Sequence, residues 1–114
     1  MSVDDKIMAA LTPFGDPVYR AVYQGEEKRY YTFNYDTMPA NFADDEPQHE
    51  RYLVQVHFFA PLDGGNLLSR IAKTKRALAD EGFLYPQTGD ESDEDGRHIV
   101  FETEIAQGAE DGEV

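Results

Sequence analysis

Residues 51–60 carry the most regular alternation of apolar and polar positions in the chain. One face of this segment is wholly apolar and consists of Tyr52, Val54, Val56 and Phe58. The other face is mixed and consists of Leu53, Gln55, His57 and Phe59. A period of two predicts a strand whose apolar face packs on a core while its mixed face is partly exposed.

After Pro61 the spacing becomes that of a helix, which we predict over residues 64–81. Asp63 or Asn66 is suited to cap its start, and Gly82 is suited to end it. The predicted core-facing stripe consists of Leu67, Leu68, Ile71, Ala72, Leu78 and the stem of Lys75.

Four other segments have a regular pattern. Residues 3–12 place apolar side chains at helical spacing, so we predict a first helix there. Residues 18–23 and 29–35 are typical of strands, and the short turn at 25–28 between them predicts a hairpin. Residues 98–105 alternate again and predict a last strand with a polar outer face.

The remaining segments are polar. We expect loops at 36–50 and 87–97 and a disordered acidic tail at 107–114, which leaves one domain over residues 1–106. The element order α-β-β-β-α-β predicts a two-layer α+β fold. In this fold a mostly antiparallel sheet of about four strands packs against two helices.

Charge narrows the classes of partner. The chain of 114 residues has 23 acidic and 10 basic residues, a formal net charge of −13. This charge disfavours phosphate backbones, so we expect no nucleic-acid recognition, and it disfavours anionic membrane surfaces. There is no cysteine and no long apolar run, and the acidic start of the chain is unlike a signal peptide. We therefore expect a protein of the cytoplasm, or one assembled there.

The histidines offer little evidence of a metal site. His57 and His98 would be neighbours if their strands pair, with Glu102 or Asp45 as a conceivable third ligand. Because no metal-binding spacing such as HxH or HExxH is present, we interpret them as ordinary sheet histidines.

No other motif predicts chemistry. The run at 90–96 is acidic but departs from the spacing of a calcium-binding loop, and we expect a solvated, mobile loop. Gly64 and Gly65 precede a helix without the following lysine and hydroxyl residue of a phosphate-binding loop. The three serines, Ser2, Ser69 and Ser92, lack the context of a nucleophile. We therefore expect no enzyme, no catalytic residue, no metal and no cofactor.

The ordered segments resemble a known family over about residues 3–105. The segments are FGDPVYRAVYQG, YYTFNY, RYLVQVHFFAP, IAKTKRAL, EGFLYP and HIVFETEI. In this order and chain length they resemble the tail completion proteins of long-tailed bacteriophages and prophages. These are minor tail proteins also described as tail terminator or head–tail joining proteins.

The resemblance implies a structural protein of the virion tail, assembled in the host bacterial cytoplasm. Such proteins commonly form a homo-oligomeric ring, often a hexamer, that ends the tail tube or joins it to the head. The implied partners are other copies of the chain, the major tail tube protein and head–tail connector proteins. The resemblance transfers no catalytic residue and leaves termination and head–tail joining as alternatives.

The separation of charge suggests where such a ring would make contacts. Acidic residues concentrate in the two predicted loops, whereas basic residues concentrate in the second helix. A head-to-tail ring brings together two different patches of each subunit, so opposite charges could meet there. The candidate subunit or tube interface consists of Asp44, Asp45, Glu46, Arg70, Lys73, Arg76, Asp90, Glu91, Asp93 and Glu94.

A second class of function is compatible with the same composition. A stand-alone acidic binding or inhibitory protein, resembling DNA mimics or immunity proteins, would dock a basic partner. Such a protein would be expected to present its acids on ordered helices or strands. A small enzyme is the third class, but the sequence offers it no anchor residue.

Overall fold

The computed structural model describes residues 1–39 and 49–108. The fold is α+β, with two α-helices and a five-stranded mixed sheet. The elements are α1 (Val3–Leu11), a short 3₁₀ helix (Thr12–Phe14), β1 (Val18–Arg20), β2 (Tyr30–Pro39), β3 (His49–Ala60), α2 (Leu68–Asp80), β4 (Gln87–Asp90) and β5 (Arg97–Gly108).

Helix α1 forms where its spacing predicts it. The Oγ of Ser2 accepts a hydrogen bond from the Asp5 backbone N–H at 3.1 Å, which satisfies one free donor of the first turn. Asp4 and Asp5 also lie where the helix dipole favours negative charge. The buried side chains of α1 are Val3, Ile7, Ala10 and Leu11. Gly15 ends the following 3₁₀ helix with a φ of 89°, in the left-handed region that suits glycine.

The sheet has the strand order β1-β2-β3-β5-β4. Strands β2, β3, β5 and β4 pair antiparallel with their neighbours, but β1 pairs parallel with β2. The predicted hairpin between residues 18–23 and 29–35 is therefore wrong. Ala21 adopts a φ of 70°, and its N–H donates to the Phe33 carbonyl at 2.8 Å. This left-handed residue ends β1 after three residues. Residues 22–29 then lead the chain back to the starting end of β1, so that β2 runs parallel to it.

The fifth strand corrects the predicted strand count. Residues 87–97 were expected to be a loop, but Gln87–Asp90 pairs antiparallel with β5. Its four residues are all exposed and have no apolar side chain, so no alternation marks them as a strand. Strands β2 and β3 also extend into the loop predicted at 36–50. Strand β5 reaches Gly108, and the rest of the predicted tail lies outside the described residues.

The core lies between one face of the sheet and both helices. The alternation of β3 is confirmed, since all four of its predicted inward side chains are buried. The core consists of Val3, Ile7, Ala10, Leu11, Tyr31, Phe33, Tyr52, Val54, Val56, Phe58, Ala60, Leu67, Leu78, Phe83, Ile99, Phe101 and Ile105.

Helix α2 begins later than predicted and is rotated from its predicted stripe. Leu68 was assigned to the core-facing stripe but is 71% exposed. The inward face contains Thr74, which is fully buried. Its hydroxyl is hydrogen-bonded to the Tyr31 hydroxyl at 2.8 Å, which offsets the cost of burying a polar group. A pattern that counts threonine as polar cannot identify this face. At the helix start, Asp63 makes no cap, whereas the Asn66 side chain accepts from the Leu68 N–H at 2.9 Å.

Candidate interaction surface

One face of the sheet is not covered by the helices. Because α1 and α2 both belong to the core on the other face, the alternate side chains of each strand form an open face. Three large apolar side chains of this open face are well exposed: Tyr19, Met38 and Leu53. A groove of about 860 Å³ crosses it beside Leu53 and Glu102. Apolar groups exposed together on one face are typical of an interaction surface.

An aromatic stripe crosses the open face from one strand to the next. Its members are Tyr19, Tyr23, Tyr30, Phe59 and His98. Successive ring centroids are 5.1, 4.6, 4.7 and 4.3 Å apart. The last three members lie directly opposite one another on β2, β3 and β5. Cross-strand aromatic pairs of this kind stabilise a sheet.

The pattern of the sequence did not predict the aromatic stripe. Phe59 was assigned to a mixed, partly exposed face, which the structure confirms. Its contacts with Tyr30 and His98 depend on the register of three strands. The cluster of aromatic residues in 30–35 was the one local signal, and alternation divides those residues between the two faces.

His57 and His98 are neighbours, as expected if their strands pair. Nδ1 of His57 lies 2.9 Å from Nε2 of His98, so one ring donates and the other accepts. Partial burial, followed by the nearby His98 charge, lowers the pKa of His57. Of the conceivable third ligands, Glu102 accepts from Gln55 at 3.3 Å, and Asp45 lies outside the described residues. Within residues 1–39 and 49–108, no three metal-ligating side chains form a group.

A cleft opens at one end of the aromatic stripe, and it is referred to below as the aromatic cleft. Its volume is about 540 Å³, and its floor contains Tyr30, Phe59 and His98. One wall comes from the segment between β1 and β2, and the other from the turn between β4 and β5. The charged residues that line it are Glu26, Glu27, Lys28, Asp93, Asp95 and Arg97.

The turn between β4 and β5 is ordered by its own hydrogen bonds. Asp90 accepts from the Ser92 N–H at 2.9 Å, and Ser92 accepts from the His98 N–H at 2.9 Å. Asp93 accepts from the Asp95 N–H at 2.8 Å. The bonds from Ser92 lower the pKa of the Asp90 carboxyl. The acids of residues 90–96 are exposed, as expected for a solvated segment, although Asp90 itself belongs to β4. Asp93 and Asp95 line the aromatic cleft, whereas Asp90 lies opposite Ile99 on the core side of the sheet.

Four of the seven acidic residues predicted for the interface lie in or next to this turn. Asp93 lines the aromatic cleft, and all four predicted acids of this region (Asp90, Glu91, Asp93 and Glu94) are exposed. The other three, Asp44, Asp45 and Glu46, lie outside the described residues.

The predicted basic residues occupy two different environments. Lys73 and Arg76 are exposed on the outer side of α2, where they line a shallow groove. Arg70 instead points toward the core. Its Nη1 lies 2.6 Å from Asp16 Oδ2, and its guanidinium lies 5.0 Å from the ring centroid of Phe14. Arg70 is thus held within the protomer, while Lys73 and Arg76 remain available to a partner.

Neither helix has the length and apolar composition required to cross a membrane, within the part of the chain that the structure describes. No protein-family model matches this chain, and no curated protein matches it significantly.

Proposed function

We propose that this chain is a structural protein of a phage or prophage tail, which assembles as a ring at the end of the tail tube. There it terminates the tail, joins the tail to the head, or does both. The proposal is supported first by the resemblance of the segments from FGDPVYRAVYQG to HIVFETEI.

The observation that carries the proposal is the presence of two unlike exposed surfaces on opposite layers of the protomer. The open face presents the aromatic stripe, and Asp93 and Asp95 of the adjacent turn line the cleft at its end. The outer side of α2 presents Lys73 and Arg76. Contacts between two unlike surfaces are heterologous, and they generate a closed ring when the rotation between neighbours closes. A protein with this arrangement is suited to assembly around a tube.

The open face also has the composition of a binding surface. Interfaces are enriched in aromatic residues, methionine and arginine at their centres. Tyr19 is 51% exposed and Met38 is 43% exposed on this face. We propose that the ring is a hexamer and that its other surfaces meet the major tail tube protein and the head–tail connector.

Deletion of the gene from the phage or prophage that encodes it tests this function. We expect tails of abnormal length, tails without heads, or both, seen by negative-stain electron microscopy. Supplying the chain from a plasmid restores normal particles. Added to purified tubes, the protein should form a ring at one tube end. Virions of normal length and infectivity after deletion would contradict the proposal.

One observation favours the alternative of a stand-alone acidic binder. Such a protein presents its acids on helices or strands, and β4 and β5 of this chain do so at Asp90, Glu102 and Glu104. A stable complex with a basic protein outside the tail, in a deletion strain whose tails are normal, would support this alternative. The ring is preferred because this alternative leaves the exposed apolar side chains of the open face without a role.

A further inference from the structure

We propose that the aromatic cleft binds the Lys73 and Arg76 side of α2 from a second copy of this chain. This contact deepens the proposed function, on which it rests, by assigning the two surfaces that join neighbouring subunits of the ring. It is a head-to-tail contact, since the cleft and the cations are different parts of each protomer.

The lining of the cleft favours a cationic side chain with a long aliphatic stem. Four carboxylates and two cations line it, which gives a formal charge of −2. The carboxylates stand on both walls, with Glu26 and Glu27 on one side and Asp93 and Asp95 on the other. The stacked rings of Tyr30 and Phe59 line the cleft between them. Lysine and arginine match such a lining, because their stems pack on apolar surface while their charged ends meet carboxylates.

The outer side of α2 supplies two such side chains next to each other. Lys73 and Arg76 are three residues apart, so they project from neighbouring positions on the helix surface. Neither forms an ion pair with another described residue. The other two cations of α2 are engaged within the protomer: Arg70 with Asp16, and Lys75 with its Nζ 5.7 Å from the Tyr85 ring centroid. Lys73 and Arg76 are therefore the cations of this helix that remain for a partner.

The geometry of the fold excludes this contact within one protomer. Helix α2 packs on the core face of the sheet through Leu78, and Lys73 and Arg76 project away from that face. The cleft opens on the other face, where Tyr30, Phe59 and His98 lie. The two complementary surfaces can meet only between copies. Repeated addition then uses one cleft and one helix from every subunit.

Two variants with reversed charge test the contact. The cleft variant carries Glu26→Lys with Glu27→Lys, and the helix variant carries Lys73→Glu with Arg76→Glu. A control variant, Asp63→Lys with Glu81→Lys, makes the same charge change as the cleft variant at residues that line neither the aromatic cleft nor the grooves on the open face and on α2. Five of these six side chains are exposed and Glu81 is partly exposed, so each variant is expected to keep the wild-type circular dichroism spectrum and melting temperature.

The readout is the mass in solution over a series of protein concentrations, measured by sedimentation. We expect the wild type and the control variant to form assemblies larger than a dimer. Each test variant alone should be a monomer, with the dissociation constant of the contact raised at least about tenfold. An equimolar mixture of the two variants should associate again, because the reversed cleft faces the reversed helix and each intact surface also finds its partner.

Three results would overturn the proposed contact: a test variant that assembles like the wild type, a mixture that stays monomeric, or a monomeric wild type at every concentration. A monomeric wild type that still binds tube ends, and loses this binding in the cleft variant, would assign the cleft to a basic segment of the tube protein instead. The proposed function would then stand without this contact. Normal virions after gene deletion, together with an intact contact, would contradict only the function.

Discussion

Replacing Arg70 by methionine should destabilise the fold, even though this residue belongs to the basic set predicted to form an interface. The Arg70 guanidinium lies 2.6 Å from Asp16, and the two side chains are only 23% and 20% exposed. It also lies 5.0 Å from the centroids of Phe14 and Phe58. Methionine keeps much of the packing on these rings but leaves the Asp16 carboxylate without its partner.

The magnitude follows from these contacts. A hydrogen bond to a charged group contributes about 1.5–3 kcal/mol when buried, and partial exposure of this pair places it near the lower end. Each cation–π contact adds about 0.5–1 kcal/mol, part of which methionine replaces. We expect a loss of about 2 kcal/mol in the free energy of unfolding. With a urea dependence of about 1–2 kcal/mol/M, the urea midpoint should fall by about 1–2 M.

Urea unfolding followed by far-ultraviolet circular dichroism measures this loss. The matched control is Arg76→Met on the same helix, where the side chain is exposed and a change within about 0.5 kcal/mol is expected. Adding Asp16→Asn to Arg70→Met should recover part of the loss, because the uncompensated carboxylate is removed. If Arg70→Met were as stable as Arg76→Met, the assignment of Arg70 to an internal contact would be refuted.

Three further predictions concern the core, one turn and the histidine pair. Thr74→Val leaves the buried Tyr31 hydroxyl without its partner at 2.8 Å, so the free energy of unfolding in urea should fall by about 1–3 kcal/mol. The double variant with Tyr31→Phe should lose less than the sum of the single losses, and a strictly additive result would show that the two hydroxyls do not interact. Gly82→Ala should lower the melting temperature through a backbone cost of about 1–2 kcal/mol, because Gly82 has a φ of 102°. Gly89→Ala is its control, since a Cβ there meets no atom within 4 Å and the backbone is not left-handed; equal melting temperatures for the two variants would contradict the expectation. The pKa of His57 is lowered in the folded state, so its contribution to stability is complete above the ordinary histidine pKa of about 6.5 and is lost as the pH falls through the folded-state pKa. The urea midpoint should therefore fall between about pH 7 and pH 5, and an equal fall in His57→Gln would exclude His57 as the cause.

Local patterns predicted the elements that have one clearly apolar face. The alternation of residues 51–60 corresponds to β3, and the helical spacing of residues 3–12 corresponds to α1 with Ser2 as its cap. The same reasoning failed where a polar residue is buried, and where an exposed segment pairs with the sheet as a strand. Thr74 is satisfied by a hydroxyl 43 positions away along the chain, and the exposed residues of β4 pair through their backbone.

The candidate interaction surface was predicted only in part. The separation of acidic and basic residues is visible in the sequence, and Lys73, Arg76 and Asp93 remain on exposed surfaces. The role of Arg70 was not visible, because its partner Asp16 lies in a different part of the chain. The floor of the aromatic cleft could not be predicted, since it depends on the register of strands β2, β3 and β5.

The sequence by itself determined the α+β class, the alternation of β3 and the position of α1, as well as the charge separation. Each of these is a property of neighbouring residues, because periodicity and capping act over a few positions. Only the tertiary structure decided the parallel pairing of β1, the fifth strand, the inward turn of Arg70 and the alignment of Tyr30, Phe59 and His98. These features depend on contacts between residues far apart in the chain. The free energy of such a contact depends on both segments together, so the local pattern of either segment does not reveal it.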